Sequence, residues 1–535
     1  MVTVAARTQN MVGVVISEHC ATHNFGVDDA TQTDIFDRPE RVAQLLHALQ
    51  QPAVPAAAHA RAQLQQAIEC MASSEQTPSP VQTSAAGAVA AVVMQPGETV
   101  GPVMLSTRRA TDAELTLAGV TSRRYLAYLQ QQSRAMQKRQ AVTDKWSTNA
   151  DGGMREWEYL DADNTTLVTA GAEVAARSGV GACLDGAEHV LRGRWCHAFV
   201  CGRPPGHHNG CCELLEQLDH GGHKYACHGG CTLNETAVAI RHVQRLAGGA
   251  SCSANRAEAC PRRPPARKKG RLTRAQKIKP NRLDPAGGLA GPSAVYRVAV
   301  VDVDIHFGDG TALQFYDDPS VLHISMHLDQ SDQRLFPFLV GKAEERGMEA
   351  GLGTTVNLPL PEGAGDDVAW RLFVACGLQR LRDFAPAMIF LSCGFDGLAG
   401  DPTMANTNFT PAWYGRMAAA CASISPVVAT LQGGYLAEGV AQAGVAVIAG
   451  LSGRIAYDTP SAFESPSADE SASALASELV SELVSCSDNE AVQELLVEMA
   501  SSGAGALVRS VERRLEDAAG WWEVEQSFNH GLHGE

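Results

Sequence analysis

The chain has 535 residues, 45% hydrophobic and 19% charged, with a formal net charge of −16. That length allows roughly two to four domains, the composition excludes disorder as a description of the whole, and the charge argues against a general nucleic-acid coat protein. Its longest apolar runs, such as MVGVVIS and AAGAVAAVVM, fall short of the roughly 18 residues that cross a bilayer, and fifteen cysteines without regular spacing or a signal-peptide pattern predict a soluble protein of the nucleus or cytoplasm, with thiols available as metal ligands.

In chain order, residues 52–100 are rich in Ala, Gln, Ser and Pro and read as a loop or partly helical insert. CHAFVCG (196–202) is the first of five short runs, bounded by Gly, Pro or Asp, that predict strands buried on both faces. TAVAIRHVQRLA (236–247) has helical periodicity. Residues 248–294 follow with too little apolar surface to offset the entropy of ordering, and predict a disordered insertion. Within it, 256–282 carries eleven Arg or Lys against one Glu, so the rest of the chain sums to −26. YRVAVVDVDI (296–305), VLHISMH (321–327), AMIFLSCG (387–394) and PVVATLQGG (426–434) are the other strand runs, with a helical stretch at 367–384. This alternation predicts an α/β fold, a parallel sheet sandwiched by helices, with its ligand site at the carboxyl ends of the strands. Beyond Ser461 the chain has fifteen acidic and three basic residues. A Ser487-x-x-Glu490 capping box, then Val492, Leu495, Leu496 and Met499 on one face, predict helices there, packed on the core or offered to a partner.

The polar residues that end these strands carry the chemistry. In extended chain, alternate side chains share a face, so Asp302, Asp304 and His306 are expected to project together. Two carboxylates and an imidazole at one strand end call for a cation, and oxygen and nitrogen ligands suit zinc with a position left open for water. FVCGRPPGHHNG presents His207 and His208 side by side after a rigid turn; each needs a partner for its second ring nitrogen, and Asp302 and Asp309 are candidates. Two such dyads beside a metal-bound water are what acid–base hydrolysis needs. IFLSCGFDGLAGDP ends in Asp396, a natural third ligand. VVATLQGGYL ends in Tyr435, whose phenol can donate to a polarised carbonyl or its oxyanion.

RPPGHH, VDVDIHFGDGT, FYDDPSVLHISMH, CGFDGLAGDP and LQGGY, in that order, resemble the zinc-dependent histone deacetylase family, closer to its class II branch. Agreement runs from about Val12 to Ser452, with FDRPERVAQLLHAL (36–49) similar to the family's N-terminal Arg-Pro element. The resemblance implies the arginase/deacetylase fold over a catalytic domain of residues 10–455, interrupted by the insertions 52–100 and 248–294, with an acidic helical extension at 456–535. It also implies hydrolysis of acetyl-lysine. Asp304, His306 and Asp396 match the zinc ligands; His207 and His208 match the tandem catalytic histidines, Asp302 and Asp309 their aspartates, and Tyr435 the carbonyl-polarising tyrosine. Asp302, Asp304, His306, Ser325 and Met326 cover an inner site for K+ or Na+. Asp163 matches a rim aspartate that grips the substrate backbone, and Arg38 an arginine lining an acetate channel.

Departures from the family pattern concern the substrate. Phe307 stands where the family usually has a second histidine. Gly230, after Gly229, replaces a phenylalanine that walls the acetyl-lysine tunnel, while Phe336 keeps the opposite wall; a one-sided tunnel could admit larger acyl groups. The loop after the tandem histidines is about a dozen residues longer than the family norm. Its Cys211, Cys212, His220, His223, Cys227 and His228 form a candidate second, structural zinc site.

The expected function is therefore zinc-dependent protein-lysine deacetylation, acting on histones or other acetylated proteins, within a chromatin or corepressor complex that regulates transcription. Rival readings are an acetylpolyamine-type amidohydrolase, against which the neutral Thr403 stands in place of an acidic gate, and a catalytically weak scaffold, against which Tyr435 argues. A ureohydrolase would want more carboxylates for two metals. The basic run 262–282 reads as a solvated loop, a nuclear-import signal or an acidic-partner patch, so direct DNA contact is expected only through 256–282.

Overall fold

The computed structural model describes residues 11–19, 40–50, 102–146, 157–160, 166–210, 228–248, 296–329, 336–337, 340–403, 406–455 and 457. The insertion 52–100, loop residues 211–227, the basic insertion and the extension beyond Tyr457 lie outside the described residues.

Eight parallel strands form one sheet: β1 (Val12–Ser17), β2 (Val103–Ser106), β5 (His197–Cys201), β6 (Val298–Asp302), β7 (Val321–Leu328), β8 (Thr355–Leu360), β9 (Met388–Cys393) and β10 (Val427–Leu431), in the order β2-β1-β5-β10-β9-β6-β7-β8. The short strands β3 (Trp157–Tyr159) and β4 (Leu167–Thr169) pair separately and antiparallel. The five predicted runs are β5, β6, β7, β9 and β10 with ends moved by a few residues, whereas β1, β2 and β8 were not foreseen as strands. Edge strand β8 contains Pro359, as an unpaired outer edge tolerates.

The central strands feed both faces of the sheet, because side chains alternate. Val14, Ile16, Phe199, Val301, Leu391 and Ala429 enter one apolar cluster, together with Val42, Leu45, Leu46 and Leu49 of helix Glu40–Gln50 and residues of helices Pro411–Ile424 and Ala437–Leu451. Val15, Val200, Val300 and Phe390 enter the other, against helices Arg123–Trp146, Ala172–Leu191 and Glu235–Leu246. The predicted helix at 367–384 is continuous helix with a π-type stretch, Phe373–Leu378, in its middle. Among the described residues no helix is long and apolar enough to cross a membrane.

The strand order matters most for what it brings together. β5, β10, β9 and β6 are consecutive in the sheet, although β5 and β10 are separated by more than 220 positions in sequence. Their carboxyl ends are the four that carry the polar motifs.

Candidate active site

The extended run expected to align Asp302, Asp304 and His306 stops at Asp302, where β6 ends. The chain then turns on its own aspartates. The Asp304 N–H donates to Asp302 Oδ1 (3.1 Å) and the His306 N–H to Asp304 Oδ1 (2.9 Å), a side-chain-to-backbone pattern that Asp forms readily two residues on. The turn gives the three residues different partners. Asp302 faces His207 Nδ1, while Asp304 and His306 meet Asp396 at the end of β9, with Asp304 Oδ2 also 3.6 Å from His207 Nε2.

In that second group His306 Nδ1 lies 3.2 Å from Asp304 Oδ1 and 2.8 Å from Asp396 Oδ2, and the three ligand atoms all fall within 4.8 Å of one another. Backbone groups fix both carboxylates: Ile305 N–H donates to Asp396 Oδ1 (3.1 Å), and Gly433 N–H to Asp304 Oδ2 (2.9 Å). A Cβ on Gly433 would sit 2.5 Å from Asp396 Oδ2 and 2.6 Å from Asp304 Oδ2, so the glycine lets the β10 loop close over the cluster. Burial and the neighbouring Asp304 carboxylate push Asp396 up to about 7. Two buried carboxylates sharing one imidazole are electrostatically incomplete. A divalent cation fits that deficit, and the donor set suits zinc.

The tandem histidines sit on the loop after β5, both 3% exposed. His207 Nδ1 is 3.1 Å from Asp302 Oδ2, and His208 Nδ1 is 2.7 Å from Asp309 Oδ1. Their rings lie 4.0 Å apart, yet their environments diverge. Burial opposes charge on His207, but Asp304 and Asp302 overcome it and raise its pKa to about 9. Burial lowers His208 to about 3, with His207 adding to the effect. Asp309, although buried, is held ionised by His228 and His208. A carboxylate at Asp309 accepts the His208 Nδ1 proton, which leaves Nε2 with a free lone pair.

Tyr435, part-buried after β10, is placed through its backbone. Its N–H and that of Leu436 both donate to Asp401 Oδ2 (2.7 and 3.0 Å). Thr403 donates to Asp401 Oδ1 through both N–H and hydroxyl, and its hydroxyl also reaches the Asp396 carbonyl (3.2 Å). The Thr403 hydroxyl is thus committed inward to the ligand turn rather than to an entrance.

Around the histidines, the Phe336 ring stands edge-on to His208 at 5.0 Å. Gly229 takes φ +58 between them, and a Cβ there would come within 2.6 Å of both rings. At Gly230 a Cβ would meet nothing within 4 Å, so this side is open. Phe307 packs against His327 at 4.8 Å. Asp302 pairs in register with Ser325, whose hydroxyl is 2.9 Å from His327 Nδ1. Met326 points into the apolar core, so only its carbonyl could serve a monovalent cation. Arg38, Asp163, Cys211, Cys212, His220, His223 and Cys227 lie outside the described residues.

Several site residues escaped the sequence reading. Arg41, three residues after Arg38 in the sequence, is buried with its guanidinium donating to the Gln432 and Gly433 carbonyls and lying 4.8 Å from the Tyr435 ring centroid. Gln432 Oε1 accepts from the Gly206 and His207 N–H groups (3.0 and 3.2 Å), and its Nε2 donates to Glu235. His228 was grouped with the Cys/His loop, and its Nε2 lies 2.8 Å from Asp309 Oδ2. A second Arg three residues after the Arg-Pro element was the available signal for Arg41; nothing local to Gln432, Glu235 or Asp401 marked them.

The family model "Histone deacetylase domain" matches residues 79–250 and 287–451, more than half of the chain. The chain is similar to Histone deacetylase clr3 of Schizosaccharomyces pombe, 37% identical over 166 residues, covering 30% of this chain and 24% of that protein. It is also similar to the acetylpolyamine amidohydrolase of Mycoplana ramosa, 29% identical over 288 residues, covering 54% and 65%. The chain therefore spans about a quarter of the histone deacetylase and under two thirds of the amidohydrolase. A solved structure, the HDA15 HD domain, superposes with a TM-score of 0.54 at 22% identity over 82% of this chain and 90% of that one, a likeness that shows the arginase/deacetylase type of fold.

Proposed function

Because the chain belongs to the histone deacetylase family, we propose that it is a zinc-dependent amide hydrolase that removes acetyl groups from lysine in histones or other proteins. The observation that carries this reading is the convergence, on four adjacent strand ends, of an Asp304–His306–Asp396 donor set, two His–Asp dyads and Tyr435.

Zinc held by Asp304, His306 and Asp396 would acidify a water and polarise the amide carbonyl. His208, kept neutral by burial and by His207, takes the proton of the attacking water on Nε2 while Asp309 holds its Nδ1. The Tyr435 phenol donates to the developing oxyanion. His208 then returns the proton to the leaving amine, so one imidazole serves as base and acid. His207, whose raised pKa favours its charged form, stabilises negative charge as it builds, a pull on its proton that a cation at Asp304 would weaken. K+ or Na+ at Asp302, Asp304, His306, Ser325 and Met326 would reinforce the β6–β7 corner. The proposed partners are acetylated protein tails and, through the extension, a chromatin or corepressor complex, with nucleus or cytoplasm as the compartment.

A second reading, hydrolysis of acetylpolyamines, is favoured by the similarity to the Mycoplana ramosa amidohydrolase. Against it, the neutral Thr403 turns its hydroxyl inward, so that position supplies no negative charge to select a polyamine cation. The purified chain is expected to turn over an acetyl-lysine peptide faster than N-acetylputrescine, with both rates abolished by a hydroxamate. Preference for the small amide would transfer the assignment to the second reading, and turnover of neither would remove the hydrolase reading.

A further inference from the structure

His228 is buried, 8% exposed, and its side chain meets Asp309, Phe336 and His208. Its Nε2 is 2.8 Å from Asp309 Oδ2. Its ring stands edge-on to Phe336 at 4.8 Å and to His208 at 5.6 Å. Asp309 meets His208 through its other oxygen, Oδ1, at 2.7 Å. One carboxylate is thus held by two imidazoles through two different oxygens. The carboxylate plane cannot rotate without breaking one of those contacts, so the second imidazole restricts the direction in which Asp309 can accept from the first. The backbone supports the arrangement: the Cys231 N–H donates to the His228 carbonyl (3.0 Å), closing a tight turn over Gly229, where only a residue without Cβ clears His208 and Phe336.

We propose that His228 is a positioning residue for the reaction: by holding Asp309 Oδ2 it fixes the orientation of the His208 imidazole, and with Phe336 it walls the space beside it. The inference rests on the reading of His208 as the general base. A metal at His208, His228 and Asp309 is the competing explanation, since those donor atoms also lie within 4.8 Å of one another. The ratio of groups favours protons instead. Two imidazoles can each donate one N–H to a separate oxygen of one carboxylate, and the group is complete without a cation. The Asp304–His306–Asp396 set has the opposite ratio and is not.

The test uses the full chain loaded with zinc, on whichever acetylated substrate it turns over. His228→Ala is expected to lower kcat about tenfold and to move KM less than about threefold, as expected for loss of one charge-assisted hydrogen bond that orients a base. His228→Gln, which can still donate to Asp309, is expected to recover most of that loss. In an Asp309→Asn background His228→Ala is expected to cost less than about twofold, because the effect travels through Asp309. Equal losses in both backgrounds, or an effect on KM alone, would overturn the proposal. His228→Leu supplies the comparison without a donor if the Ala variant does not fold. A readout independent of turnover is the downfield proton resonance of the His208–Asp309 hydrogen bond, expected to shift or vanish in His228→Ala and to return in His228→Gln; a resonance that does not move overturns the proposal. Loss of a second zinc equivalent in His228→Ala would also overturn it, in favour of a metal site. If no acetylated amide is turned over, the assignment of function fails, and the resonance still decides the role of His228.

Discussion

Two clusters of carboxylate and imidazole lie side by side at the centre of this sheet, and they are built in opposite ratios. Asp304 and Asp396 share His306, with His207 Nε2 farther off, 3.6 Å from Asp304 Oδ2; His208 and His228 share one carboxylate, Asp309. In the first, burial and the adjacent Asp304 carboxylate drive Asp396 up to about 7, a strain that a divalent cation would relieve. The second is completed by protons, with Asp309 held ionised and His208 neutral at about 3. On the function proposed above, the same residue types at similar separations would serve as a metal-ligand set in one case and as an oriented base in the other, according to their ratio.

The sharpest way to break this comparison is to remove a carboxylate from each side. Asp396→Asn is expected to lose the zinc equivalent and to lower turnover about 10³-fold or more, whereas Asp309→Asn should keep its zinc; elemental analysis of both purified variants checks the contrast, and equal zinc contents would erase it. Next in size is Tyr435→Phe, expected to lower kcat about 10²–10³-fold with zinc intact. Near-normal turnover on an acetylated peptide would dismiss the phenol as the oxyanion donor.

The smallest effect tests the support beneath the histidine loop. Burial raises Glu235 from 4.5 to about 7, so the folded state binds more protons than the unfolded state between those values. Stability contributed by the protonated form is present below about pH 4.5 and is lost as pH rises through about 7. Glu235→Gln removes that titration. It is expected to raise stability relative to the parent at pH 8 by about 3 kcal/mol and to leave it nearly unchanged at pH 4.5, as read by urea unfolding at the two pH values. A gain independent of pH would mean that Glu235 is not the titrating group.

Much of the fold could be read from the chain. The runs that became β5, β6, β7, β9 and β10 are dense in β-branched and apolar residues and are punctuated by Gly, Pro or Asp, so their strand character is local. Edge strands β2 and β8 lacked that density, since a strand with one unpaired side has less to bury. Helix Ala172–Leu191 was not foreseen because Gly179, Gly181 and Gly186 dilute its helical signal; the first and last lie where strand β5 and the loop after it pass close by, with Val200 only 3.1 Å from a Cβ built at Gly186.

The site divides along the same line. Asp304, His306, Asp396, His207, His208 and Tyr435 stand in short motifs at strand ends, so residue type and spacing alone mark them as candidates. Which imidazole meets which carboxylate was decided only by tertiary structure. The strand order β5-β10-β9-β6 unites segments far apart in sequence, and the turn after Asp302 sends that aspartate to His207 and its neighbours to Asp396. Arg41 reaches Tyr435 from helix Glu40–Gln50, and His228 reaches Asp309 across 81 positions of sequence. Hydrogen bonds and ion pairs act over about 3 Å, and in this chain that distance joins residues up to 392 positions apart, a proximity that no local pattern encodes.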